Sequence, residues 1–289
     1  MNSILTVKDL HKSYAHFALH GISFSLPEGC ITGFIGVNGS GKTTTIRSIL
    51  GLANPLSGSI SLFGQQMNSQ LKDRLGVVLD EGCFYDNLTM EQMKKVIAPA
   101  YSHWSDADFH RYMQQFSLDP RQKIKTLSKG MRMKYALALA LSHQAELLIM
   151  DEPTSGLDPL IRSQLLELLA QYMEQGGRGV FFSTHITSDL DKIADYLIMI
   201  YQGRIVFTEE KDALLDSYRI VKGDASALNQ QTRPLFASLQ ETDFGFTGLT
   251  DQLTQVQAHL PDVVVEKPTI EDIMLAHVKG GKQDAMAND

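Results

Sequence analysis

The sequence predicts an α/β fold: a mixed sheet with a small antiparallel β subdomain, a helical subdomain and a small C-terminal α+β appendage. Three observations predict it. A buried apolar run at 31–35 enters a glycine-rich stretch, 36–44, and leaves it as a helix stopped by Gly51. Apolar runs at 75–79, 146–150 and 179–183 each end at polar residues, so side chains cluster at strand ends, where open α/β sheets bind ligands. Between the first two of these runs, residues 88–142 switch to helical periodicity.

Composition sets the frame. With 289 residues and 43% hydrophobic content, the chain is long enough for one large domain plus something small. A net charge of −7 argues against a protein that binds nucleic acid by neutralising phosphates, so no nucleic acid partner is expected. Cys30 and Cys83 have neither metal-ligand nor redox spacing, which fits a reduced, cytoplasmic setting. No signal peptide is read at the start, and the apolar runs are far too short to cross a bilayer. Any membrane role is therefore expected to pass through a partner.

Taken in order, residues 1–35 alternate apolar and polar positions between turn signals, which predicts short strands of a small antiparallel sheet. Tyr14 lies here and reads either as an edge aromatic or as a face on which a base stacks. His11, His16 and His20 read as surface. The stretch Gly36-Val-Asn-Gly-Ser-Gly-Lys-Thr-Thr44 then matches G-x-x-x-x-G-K-[ST] in full. Gly36, Asn38, Gly39, Ser40 and Gly41 let the backbone N–H groups turn inward on phosphate oxygens, and the following helix aims its positive end at the same point. Lys42 is placed to reach the β- and γ-phosphates, Thr43 offers a hydroxyl to Mg²⁺, and Thr44 completes the loop. A chance match in a chain this long is on the order of 1%, and the strand–loop–helix setting lowers it further.

Thr89 and Gln92 spell a capping box, Phe109, Tyr112, Met113 and Phe116 fall on one helical face, and Trp104 is placed between helices. Ser128 caps the next helix, and Gly130 leaves room for close backbone approach. The apolar run 146–150 ends in Asp151 and Glu152, an arrangement that delivers one carboxylate to a metal and the next to solvent-exposed chemistry. Asp158 precedes Pro159 and can cap a helix ending at Gly176-Gly177, and the run 179–183 ends two residues before His185.

With these parts on one chain, residues 4–210 resemble the ATP-binding subunit of an ABC transporter. Tyr14, the phosphate loop 36–44, the signature-like Leu127-Ser-Lys-Gly-Met131, Asp151-Glu152, the loop 155–158 and His185 occur in that family's order. The resemblance implies a P-loop ABC ATPase core over 1–212, with its helical subdomain at about 88–142, and ATP and Mg²⁺ as cofactors. It implies two cassettes facing head to tail, homo- or heterodimeric, so that Ser128 and Gly130 serve the partner's nucleotide. It further implies that Glu152 polarises the attacking water, that Thr43 and Asp151 hold Mg²⁺, that Lys42 and His185 contact the γ-phosphate, and that Asp158 lines the cassette interface. The remaining partner would be an integral membrane permease subunit, holding the chain at the inner face of the cell membrane.

Two departures stand out. Aligning Gly76 puts Asp80, followed by Glu81, where the family usually has glutamine; a carboxylate can ligate Mg²⁺ but lacks the amide's donor. Lys129 and Met131 replace the usual first glycine and glutamine of the signature, and Lys129 could assist the phosphate or point to solvent. Both features are similar to a bacterial subgroup associated with efflux of drugs and of toxic or antimicrobial peptides, so an exporter is expected. A soluble ABC ATPase acting on ribosomes or nucleic acid is the competing reading, set against by the single cassette and the acidic balance. Residues 213–279 read as a small α+β appendage, with a helix at 249–260, a strand at 263–265 and a helix at 269–278, serving either as structural padding or in dimer contact and regulation. Residues 280–289 read as a disordered tail.

Overall fold

A computed structural model of the chain describes residues 2–79 and 84–286. Strands β1 (Ser3–Tyr14) and β2 (Phe17–Pro27) form a long antiparallel hairpin, and β3 (Ile31–Ile35) follows, every residue of it buried. Next come α1 (Lys42–Ile49), β4 (Ser57–Leu62), the short β5 (Gln65–Gln66), α2 (Ser69–Lys72) and β6 (Leu75–Val78). The helical subdomain holds α3 (Met90–Ile97), α4 (Asp106–Gln115) and α5 (Lys129–Leu141). The chain returns through β7 (Leu147–Asp151), α6 (Pro159–Met173), β8 (Gly179–Thr184), α7 (Thr187–Ile193), β9 (Tyr196–Tyr201), β10 (Arg204–Glu210) and α8 (Lys211–Ser217). The appendage is β11 (Arg219–Gly223), β12 (Ser238–Thr242), β13 (Gly245–Thr250), α9 (Leu253–His259), β14 (Val264–Glu266) and α10 (Ile270–Met286).

The central sheet runs β10-β9-β3-β8-β7-β6, parallel throughout except for β10 at its edge. An antiparallel sheet, β2-β1-β4-β5, packs against it, so the small antiparallel subdomain is present with strands longer than the turn signals predict. Phe24 of β2 meets Phe34 of β3 and Phe181 of β8, at ring separations of 5.8 and 5.7 Å, in the core between the two sheets. The register decides the chemistry. Ile35 stands beside Thr184, and Asp151 beside Ser183, so the C-terminal ends of β3, β7 and β8 share one edge. Open parallel sheets present their sites there.

The capping residues act as read. The Thr89 hydroxyl accepts from Gln92 N while the Gln92 amide oxygen accepts from Thr89 N. Ser128 accepts from Met131 N at the start of α5, and Asp158 Oδ1 accepts from Leu160 N and Ile161 N at the start of α6. Trp104 is half-buried against the core and donates to Asp106 at 2.9 Å. Tyr135 ties α5 to α3 by donating to the Met90 carbonyl, and burial pushes its phenol well above the usual tyrosine range.

The appendage differs from the sequence reading in two places. The helix expected at 249–260 begins only at Leu253, because β13 takes Leu249, paired with Ser238 of β12, and Thr250, paired with Arg219 of β11. The final helix runs to Met286, into the stretch read as a disordered tail; no proline stops it after Val278, and its two glycines are tolerated in a helix at modest cost. Residues 287–289 lie outside the described residues. Ile270, Ile273, Met274 and Ala276 of α10 are buried in the same core as Leu190 of α7 and Ala194 just past it, so the appendage ends on the main body.

Candidate functional site

The glycine-rich loop closes on itself by short backbone bonds, Ser40 N to Val37 O at 3.1 Å and Thr45 N to Gly41 O at 2.9 Å. Gly41, with φ of 119°, occupies the cap position of α1, a conformation that side-chain-bearing residues rarely adopt. No side chain caps α1, so its first N–H groups face outward with the positive end of the helix dipole. Lys42 is 6% exposed, and its ammonium donates to the Gly36 carbonyl at 2.7 Å. Thr43 is exposed on the first turn and Thr44 is half-buried beside it.

Across the sheet edge, Asp151 ends β7 buried, with the Ser183 hydroxyl donating to Oδ1 at 2.6 Å. Glu152 has φ of 50°, a left-handed turn that costs about 1–3 kcal/mol for a non-glycine residue and deflects its side chain from the strand line. Two bonds from its backbone N–H hold that turn, to Ser183 O and Ser183 Oγ, both at 3.1 Å. The carboxylate then lies between two partners: Lys42 Nζ is 3.2 Å from Oε1, and His185 Nδ1 is 2.8 Å from Oε2. The two donors fix where the carboxylate points.

Lys42, Glu152 and His185 line a cavity of about 650 Å³ whose wall also includes Asn38, Gly39, Gly41, Thr43, Thr44 and Ser155; Asp151 lies behind that wall. Its far side is His16 and Phe17 at the start of β2. Tyr14, opposite Phe17 in the hairpin, is half-exposed and is not part of that wall; Lys12 sits over its ring at 5.2 Å. Phe17 and His16 are therefore cavity residues that sequence reasoning missed, because a hairpin turn of unknown length decides which aromatic faces inward. Ser183 was missed as well. Its signal was the pairing of 147–151 with 179–183, which places it level with Asp151.

Ser128, Gly130 and Asp158 are absent from the cavity wall. Ser128 and Asp158 are helix caps, and Gly130 is buried against Ile161 of α6. Lys129 lies along Gly156, its ammonium 3.5 Å from where a Cβ there would stand. The Asp80 expectation falls on a stretch outside the described residues.

The donor set fits a nucleoside triphosphate. The buried Ser40 hydroxyl has no hydrogen-bond partner among the described residues, the α1 N-terminus is uncapped, and a buried ammonium faces the space. It also fits Mg²⁺, which binds through one or two protein oxygens plus phosphates and water: Thr43 offers an exposed hydroxyl on the first turn of α1, and Asp151 ends β7 at the same sheet edge.

Comparison with known proteins agrees. Residues 19–155 match the model of the ABC transporter family. The chain is 32% identical over 212 residues to the bacitracin transport ATP-binding protein BcrA of Bacillus licheniformis, covering 71% of this chain and 69% of that one. It is 30% identical to the lantibiotic transport ATP-binding protein SrtF of Streptococcus pyogenes, covering 72% and 92%. A solved ATP-binding subunit of an ABC transporter superposes with a TM-score of 0.67 at 30% identity, covering 74% of this chain and 92% of that one. The chain belongs to the ABC transporter family, and within it is the ATP-binding, ATP-hydrolysing subunit.

Proposed function

We propose that this subunit drives an exporter of drugs or antimicrobial peptides, pairing head to tail with a second cassette and working on a separate permease. The observation that carries the catalytic part is Glu152 held between Lys42 and His185 at the mouth of the phosphate loop. Glu152 is the general base for the attacking water, and Lys42 and His185 meet the γ-phosphate. Gly36, Asn38, Gly39, Ser40, Gly41 and Thr44 cradle the phosphates, and the hairpin end with Tyr14 and Phe17 takes the base. Thr43 and Asp151 would hold Mg²⁺, which supplies charge neutralisation between the phosphates, with Asp80 as a further ligand in place of the usual glutamine.

Ser128, Gly130 and Asp158 lie on the face offered to the second cassette, in keeping with their absence from their own chain's cavity wall. The cargo class rests on the relatives named for bacitracin and lantibiotic transport and on the departures at Lys129 and Met131. No helix among the described residues is long and apolar enough to cross a membrane, so attachment to the cytoplasmic face goes through the permease.

Glu152→Gln tests the site. It should bind ATP normally, lose turnover by about 100-fold or more, and accumulate as a closed dimer by light scattering. Turnover at the wild-type rate removes Glu152 as the base. Affinity capture from solubilised membranes tests the assembly, with a stoichiometric multi-spanning protein as the expected companion and ribosomal companions as the contrary result.

A further inference from the structure

One ion pair between a half-buried arginine and a buried aspartate is unfinished. Asp189 of α7 is 1% exposed, yet neither of its carboxylate oxygens has a hydrogen-bond partner among the described residues. The facing group is Arg162 of α6, whose Nε is also buried without a hydrogen bond and stands 3.9 Å from Asp189 Oδ1. At that distance the charges attract, but no hydrogen bond forms. A buried charge left this way is costly, and a shift of about 1 Å would satisfy both groups.

The two helices it joins are the ones that flank the chemistry. α6 starts directly after the loop 155–158, whose Ser155 lines the cavity. α7 starts two residues after His185, so its placement sets where the imidazole stands against Glu152. The other holds on α7 are closed. Leu190 fills the space over Gly33 on β3, where any Cβ would stand 2.5 Å from it, and the Lys211 ammonium of α8 donates to the Asp191 carbonyl at 3.3 Å.

We propose that Arg162 and Asp189 are positioning residues for hydrolysis: the pair couples the interface loop on α6 to α7 and sets the contact of His185 with Glu152. The proposal rests on the assignment of Glu152 and His185 made above. When the loop 155–158 is pressed by a second cassette, Arg162 advances on Asp189, the pair gains its hydrogen bonds, and α7 is drawn to one position.

The test is steady-state ATPase kinetics on Asp189→Asn, Arg162→Gln, the double variant and the charge-keeping Arg162→Lys, together with histidine-labelled NMR of the side-chain nitrogens. Each single neutralisation should lower kcat about tenfold with the KM for ATP changed less than twofold. The double variant should be no slower than either single one, and Arg162→Lys should recover most of the loss. The His185 ring signal, assigned with His185→Gln, should move in both neutralised variants while that of buried His143 stays in place. A kcat within twofold of wild type, additive losses in the double variant, or an unmoved His185 signal overturns the proposal. Wild-type turnover in His185→Gln and Glu152→Gln overturns the site assignment itself, a separate failure read from separate proteins.

Discussion

At the residue scale, the centre of the site is a charge arrangement of three side chains: Lys42 opening α1, Glu152 just past β7 and His185 just past β8. Lys42 is buried and satisfied by a carbonyl and a carboxylate, so its charge is held in one place at the cavity wall. Lys42→Ala should weaken ATP binding by about 2 kcal/mol, the scale of a lost charged hydrogen bond, measurable by calorimetry; unchanged affinity would remove the phosphate loop as the binding site. Lys42, Thr43, Asp151, Glu152 and His185 were legible in the sequence because each belongs to a short local pattern whose backbone geometry is carried by its neighbours. Phe17, Ser183 and the pair Arg162 and Asp189 were not, since their partners are set by strand register and helix packing across long stretches of chain. The hairpin end puts Phe17 in the cavity wall, with Tyr14 paired opposite it.

At the element scale, short polar signals fix where helices begin. Asp158 bonds two free N–H groups at the start of α6 and has Pro159 behind it, so Asp158→Ala should cost about 1 kcal/mol of stability. Because Asp158 stands off its own cavity wall, ATP affinity of the isolated chain should stay within twofold; a tenfold loss would show that it contacts its own nucleotide. The C-terminal end of α5 carries a different device. His143 is buried with Nδ1 3.1 Å from Leu139 O and Nε2 3.0 Å from Leu75 O, stacked on Tyr101. It ties the helical subdomain to β6, and nothing in its sequence neighbourhood announces that role. The β12–β13 hairpin was illegible for a related reason: its Ser, Gln, Thr and Gly-rich strands lack the alternation that marks a half-buried strand.

At the scale of the whole molecule, the appendage is joined to the body through α10, with Ile270 and Ile273 fully buried against the core that holds α7. Ile273→Ala should lower stability by about 3 kcal/mol and loosen the appendage first, seen as faster amide exchange in α10 than in β3. Stability should also depend on pH. Burial pushes both His143 and His277 below the ordinary histidine value of 6.5, so the native state favours the neutral ring while the unfolded chain takes up a proton near that value. Their contribution is therefore present above about pH 6.5 and is lost as pH falls below it toward the folded-state values. The melting temperature should drop between about pH 7 and pH 5, and less steeply in His277→Gln; equal slopes would remove His277 as a cause. The sequence by itself determined the family, the phosphate loop, the acidic strand end and the helix caps, because each is chemistry that neighbouring residues complete among themselves. Only the tertiary structure decided which aromatic reaches the cavity, that Ser183 supports both Asp151 and Glu152, that α10 closes onto α7, and that Arg162 faces Asp189. Those contacts depend on register and packing, which sum small energies over the whole fold and leave no local pattern in the chain.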